Sequence, residues 1–173
     1  MRQTAGFTAV ELLVTVAIVA ILVAVGTPSL NTFVMNTRTR TLGESMTNAM
    51  AIARADAVRL NTRVAWNFDG KDWTVNRVDT GEQLHAGTGR ESLQSGLELD
   101  VTPVGSTTVT YDSFGRRMGQ NADGSDPITQ LDIRATRTPA AGTYLPLRVQ
   151  ALAGGLSRLC DPAAASTSPK ACL

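Results

Sequence analysis

No charged side chain occurs between Glu11 and Arg38, and Leu12–Val25 (LLVTVAIVAILVAV) carries Thr15 as its only polar residue. A run apolar on every helical face cannot be solvated; it has to be buried in protein or in lipid. Phe7–Thr27 is 21 residues, close to the ~20 that a helix needs to cross the hydrocarbon core of a bilayer. A buried core helix is the soluble alternative, but the position at the N-terminus favours membrane insertion. A cleaved secretory signal is the other alternative, and Arg2 supplies its basic start. Two features speak against it. The apolar run passes into Gly26-Thr27-Pro28 with no small-residue cleavage site, and an acid, Glu11, sits inside its leading edge. An acidic residue at the centre of a membrane helix is unfavourable by about 2.5–3.5 kcal/mol, and by less near the ends. Glu11 therefore calls for a function and a partner.

The segment Gly6-Phe7-Thr8-Ala9-Val10-Glu11-Leu12-Leu13-Val14 resembles the prepilin motif of type IV pilins and pseudopilins. In that family a prepilin peptidase/methyltransferase cuts after the glycine and methylates the new N-terminal residue. The resemblance implies a leader, Met1–Gly6, with cleavage between Gly6 and Phe7 and N-methylation of Phe7. Glu11 and Pro28 fall where the family carries its glutamate and, in many members, a helix-kinking proline. The ammonium created at Phe7 and the Glu11 carboxylate both lie in apolar surroundings, where an unpaired charge costs several kcal/mol. Pairing the ammonium of an incoming subunit with Glu11 of its neighbour offsets much of that cost and sets subunit register in a filament. Arg2 and the free N-terminus favour a cytoplasmic start. The expected location is thus the inner membrane, single-pass with a periplasmic head, and then a pilus or pseudopilus filament.

Beyond Pro28, Leu30, Phe33, Val34, Leu42, Met46, Ala49, Met50, Ala53, Ala57 and Leu60 recur mostly at three- and four-residue steps, an amphipathic helix. The economical reading is one helix from about Thr8 to about Leu60, bent near Gly26–Pro28. After Arg63 the period changes. Arg63–Phe68 and Asp72–Val78 read as a hairpin across Asp69-Gly70-Lys71. Leu97–Val101, Thr107–Tyr111, Leu131–Ala135 and Leu145–Leu152 are further strand candidates, while Gly81–Gly96 reads as a glycine-rich loop. The fold class is α+β: a long N-terminal helix packed on a small antiparallel sheet or sandwich head. The organisation expected is leader 1–6, membrane or filament-core helix 7–28, amphipathic helix 29–61 and β-rich head 62–173.

The tail from Cys160 to Cys172 is rich in Ala, Ser and Pro and cannot form a core. Two cysteines bracketing such a loop in an exported domain read as a disulfide, with two free thiols as the alternative. The resemblance supports the bridge, since many type IV pilins close a C-terminal disulfide loop. Ala53-Arg54-Ala55-Asp56-Ala57-Val58-Arg59-Leu60-Asn61, Asp72-Trp73, Phe114-Gly115-Arg116, and a late strand ending Gly155-Leu156-Ser157-Arg158 look like minor pilins and pseudopilins of the GspH/FimT type. That likeness implies a place in a minor-pilin complex that primes filament assembly.

Enzymatic chemistry finds little support. One His and two Cys exclude a multi-His centre and a four-thiolate zinc site. His85, in the glycine-rich segment, reads as solvent-exposed. There is no G-x-S-x-G elbow, and Gly87-Thr88-Gly89-Arg90 lacks phosphate-loop spacing. No enzymatic activity, metal or cofactor is expected. Lys+Arg 16 against Asp+Glu 15 argues against a strongly basic nucleic-acid binder. Some FimT-type minor pilins bind DNA through a G-R-x-R-like motif, and the nearest match here, Gly155-Leu156-Ser157-Arg158, has Leu156 at the first arginine position. Arg116, Arg117, Arg148 and Arg158 are the candidate contacts to duplex DNA should they gather on one face of the head, with a dispersed, solvated arginine surface as the favoured alternative. The reading is a structural minor pilin whose partners are other major and minor pilins. A type II secretion pseudopilin of the H type is the alternative within that class, and a DNA-binding minor pilin for natural transformation the alternative outside it.

Overall fold

A computed structural model describes residues 7–137, 139 and 143–172; the expected leader, Met1–Gly6, and with it the Gly6 side of the cleavage site, lies outside them. The N-terminal pattern forms one helix, α1 (Ala9–Leu60, 52 residues), about 78 Å long at 1.5 Å per residue. Thr8 caps it. The Thr8 hydroxyl accepts from the Glu11 N–H at 3.2 Å, and the Glu11 carboxylate accepts from the Thr8 N–H at 3.0 Å and from its hydroxyl at 2.8 Å. This reciprocal capping box satisfies donors that a helix start leaves open. At the other end Asn61 adopts left-handed backbone (φ 49°) and donates to the Ala57 and Val58 carbonyls. The segments Ala9–Ala24 and Ser29–Leu60 are bent by 40°. The stretch between them contains Gly26 and Pro28, and a proline inside a helix removes one N–H and crowds the carbonyl four residues back. Among the described residues no single helix is long and apolar enough to cross a membrane; this bent pair qualifies by length and composition.

The head consists of two four-stranded antiparallel sheets. Sheet A holds β1 (Val64–Phe68), β2 (Asp72–Arg77), β3 (Gln83–Thr88) and β5 (Thr108–Tyr111) in the order β3-β2-β1-β5. Sheet B holds β4 (Leu97–Thr102), β6 (Gln130–Ala135), β7 (Leu147–Ala151) and β8 (Ser157–Cys160) in sequential order. A short helix, α2 (Arg90–Gln94), links β3 to β4. Alternation aims one face of each sheet inward. Trp66 stands opposite Val75 and Val109 in sheet A, and Leu131 opposite Val149 in sheet B; all five are fully buried. The C-terminal half of α1 inserts Leu42, Met46, Ala49, Met50, Ala53 and Ala57 into the same core. Gly43 lets Leu159 of β8 lie against the helix, since a Cβ there would sit 2.5 Å from a Leu159 methyl.

Three elements differ from the sequence reading. Gly81–Gly96 is not a loop: it contains β3 and α2. β3 is an edge strand with mostly exposed side chains, so it lacks the apolar alternation that marks a strand. Its Gly87 is required because a Cβ there would overlap the Trp73 indole across the ladder. The candidate strand Leu145–Leu152 shortens to β7, which begins after Pro146. The late strand starts at Ser157 rather than ending near it, because Gly155, at φ +86°, turns the chain first.

Candidate functional site

The chain divides between a helix surface left bare and a head that is internally satisfied. Along the first part of α1, the large apolar side chains from Val10 to Val23 and then Leu30 and Phe33 are exposed, and Phe7 is 85% exposed. Burying one such side chain stabilises by about 1.5–3 kcal/mol, so the row represents a large unmet driving force for association. Glu11 stands at the start of this surface, held in the capping box. Its carboxylate is thereby fixed beside residues 7 and 8 and remains exposed to a partner.

Where α1 meets the head, polar side chains fix the approach. Asn36 donates to the Thr143 carbonyl and accepts from the Leu145 N–H, each at 2.9 Å, reproducing the pairing of a strand neighbour. A groove of about 460 Å³ opens beside it, lined by Phe33, Leu145, Leu159, Pro169 and Lys170 among others. Further along, Asp56 is buried and bonds His85 of β3 at 2.8 Å and Arg59 at 2.9 and 3.0 Å. His85 is indeed exposed, but it also ties an edge strand to the helix. In the sequence Asp56 reads as one of the solvated charges on the other faces of the amphipathic helix; the structure instead buries it, with His85 and Arg59 as its partners.

The candidate DNA-contacting arginines fall into two groups. Arg148 and Arg158 lie on the outer face of sheet B. Arg148 forms a two-point ion pair with Asp132, at 2.6 and 3.0 Å, which raises the guanidinium above its ordinary value. On the same face Arg134 pairs with Asp100 and Glu98. Arg158 donates to the carbonyls of Pro169 and Ala171 at 3.0 and 2.7 Å, pinning the loop that the Cys160–Cys172 disulfide closes. Arg116 and Arg117 follow β5 instead. Arg116 pairs with Asp112 at 3.1 Å and lies over the Phe114 ring. Arg117 has a buried Nε without a hydrogen-bond partner. The four therefore do not form one free basic face. Among the described residues no group of three or more His, Cys, Asp and Glu is arranged to hold a metal ion.

Residues 42–155 match the protein family described as type II transport protein GspH. Two crystal structures of the type IV minor pilin FimU from Pseudomonas aeruginosa (strain PAO1) share the architecture. The form in space group P21 superposes with a TM-score of 0.57 at 14% identity, over 79% of this chain and 98% of that one. The P65 form gives 0.51 at 14% identity, over 75% and 98%. No curated protein sequence matches.

Proposed function

The chain belongs to the GspH family, and from that premise we propose that it is a minor pilin, built into a type IV pilus at or near its tip and helping to prime assembly. The pilin-type structural role comes with the family and the fold. One observation carries the finer reading. α1 is a single helix whose second half belongs to the head core while its first half is bare, apolar and headed by an exposed carboxylate. Before assembly that half sits in the inner membrane; in the filament it packs against the equivalent helices of other major and minor pilins. Glu11 then receives the ammonium of a neighbouring subunit, after a prepilin peptidase/methyltransferase has removed Met1–Gly6 and methylated Phe7.

Mass spectrometry of the mature N-terminus tests processing: methylated Phe7 is expected, and an intact Met1 in membranes or filaments would overturn the reading. Glu11→Ala should deplete the protein from sheared filaments while the head stays folded. Recovery of that variant at the native level would overturn the docking role.

A pseudopilin of a type II secretion system is the second reading, favoured by the description of the matching family. Deleting the gene distinguishes them: loss of surface pili supports the first, and retention of exoproteins inside the cell with pili intact supports the second. Duplex DNA as a partner has less support, because Arg148 and Arg158 already have partners within the head. A salt-dependent mobility shift would favour it.

A further inference from the structure

Beside the end of α1 two turns abut, at Asp112–Arg116 and Leu152–Leu156. They touch glycine to glycine: the Gly155 backbone packs so closely on the Gly115 carbonyl that no Cβ fits. That carbonyl also accepts from Arg54 Nε at 2.9 Å. Arg117 follows and stands directly opposite Tyr111 in an antiparallel bridge. Tyr111 is fully buried, and its hydroxyl has no hydrogen-bond partner; neither does the buried Nε of Arg117. Among the described residues neither Arg54 nor Arg117 forms an ion pair, whereas Arg59, Arg77, Arg90, Arg134 and Arg148 all do. Arg54, bonded to the Gly115 carbonyl, and Arg117, two residues further along the chain, are thus brought to one place beside Tyr111. Two neighbouring cations with no anion between them form an incomplete set.

The surroundings indicate what completes it. Phe114 is 75% exposed and Leu156 58% exposed, on the two abutting turns, and Val58 of α1 is half-exposed against Gly115. Aromatic and arginine side chains around a small desolvated spot are the composition of protein–protein hot spots. A nucleic acid would call for a longer run of free cations to meet successive phosphates, and the sheet B arginines are already paired.

We propose that the guanidinium ends of Arg54 and Arg117, shouldered by Phe114 and Leu156, form a docking site for an acidic side chain of a partner protein, presented next to an apolar residue. The acid supplies the missing counter-charge, and its neighbour covers Phe114. This site lies on the head, away from the bare half of α1, and does not depend on which apparatus the chain serves.

The test uses the full chain in detergent micelles, with the Arg Nε–H resonances as readout and three probes: propionate, inorganic phosphate and a short DNA duplex. Propionate should shift the Arg54 and Arg117 signals. Arg117→Gln should weaken its binding about tenfold, the loss of one charge-assisted bond, with the remaining spectrum unchanged. Arg148→Gln should have no effect. In cells, a benzophenone side chain at position 114 should cross-link to a segment bearing Asp or Glu in another protein, and Arg54→Gln with Arg117→Gln should abolish that adduct. Absence of a propionate shift, or equal binding by the Arg117 variant, would overturn the proposal. So would tighter, Arg117-dependent binding of phosphate and duplex, which would assign the site to nucleic acid.

Discussion

His85 Nε2 lies 2.8 Å from Asp56 Oδ2, joining the outermost strand of sheet A to the last turns of α1. The other Asp56 oxygen accepts twice from Arg59, so the buried carboxylate is satisfied from two sides. His85→Ala leaves one oxygen of a buried acid without its protein partner, which costs about 1–3 kcal/mol. Asp56→Ala removes the acceptor, leaving an exposed His and Arg that water can serve. The double variant should therefore be less destabilised than the sum of the two singles, a coupling of about 0.5–3 kcal/mol measured by urea unfolding. Additive losses would show that the pair does not act as a unit.

Gly155 has two reasons to lack a side chain: its φ is +86°, and a Cβ would overlap the Gly115 carbonyl. Gly155→Ala should destabilise the head by roughly 2 kcal/mol or more. At Gly154 the φ is not positive, and a Cβ would meet nothing within 4 Å, so Gly154→Ala should stay within about 0.5 kcal/mol. The comparison separates a local clash from a general sensitivity of this turn.

The disulfide closes a loop with a sequence separation of 12, for which chain entropy gives about 3 kcal/mol. Replacing both Cys160 and Cys172 by Ala should lower unfolding free energy by about that amount. A reductant should destabilise the native chain and leave the double variant unchanged. Equal reductant sensitivity of the two would point to a different target.

Acid should weaken the head through identifiable groups. The Arg90 side chain and Thr88 hydroxyl hold the Asp72 carboxyl below the usual range, and Arg77 does the same for Asp79. For Asp112, burial pushes upward but the Arg116 and Phe114 N–H groups and the Arg116 side chain prevail, and the carboxyl is again held low. The unfolded chain, with carboxyl values near about 4, binds these protons first as pH falls. The stabilisation is thus fully present above about pH 4 and is lost as pH drops through the lower native values. Asp72→Asn with Asp79→Asn should flatten that acid limb in a pH series of thermal melts.

The long helix α1 was legible in the sequence because its constraint is one-dimensional. Apolar side chains at three- and four-residue steps specify the helix face that enters the core, and Leu42, Met46 and Ala53 lie there. The β1–β2 hairpin was equally readable from Asp69-Gly70-Lys71, with Gly70 at φ +92°. What escaped depends on partners distant in sequence. β3 is held by its ladder to β2 and by His85 reaching Asp56, 29 residues away, rather than by a stripe of its own. Arg116 and Arg117 are adjacent, yet one is paired with Asp112 and the other is not. No local pattern distinguishes them, because the difference lies in which side of the β5 ladder each faces.

The bridge between Cys160 and Cys172 has a bearing on how the head withstands proteolysis. Most of the segment it spans, from Pro162 to Lys170, is exposed, the kind of loop that proteases attack first. A cut there would leave both fragments covalently attached, with β8 still in its sheet and Leu159 still against Gly43. The surface can be nicked here without shedding a piece of the subunit, so damage to this exposed loop stays local.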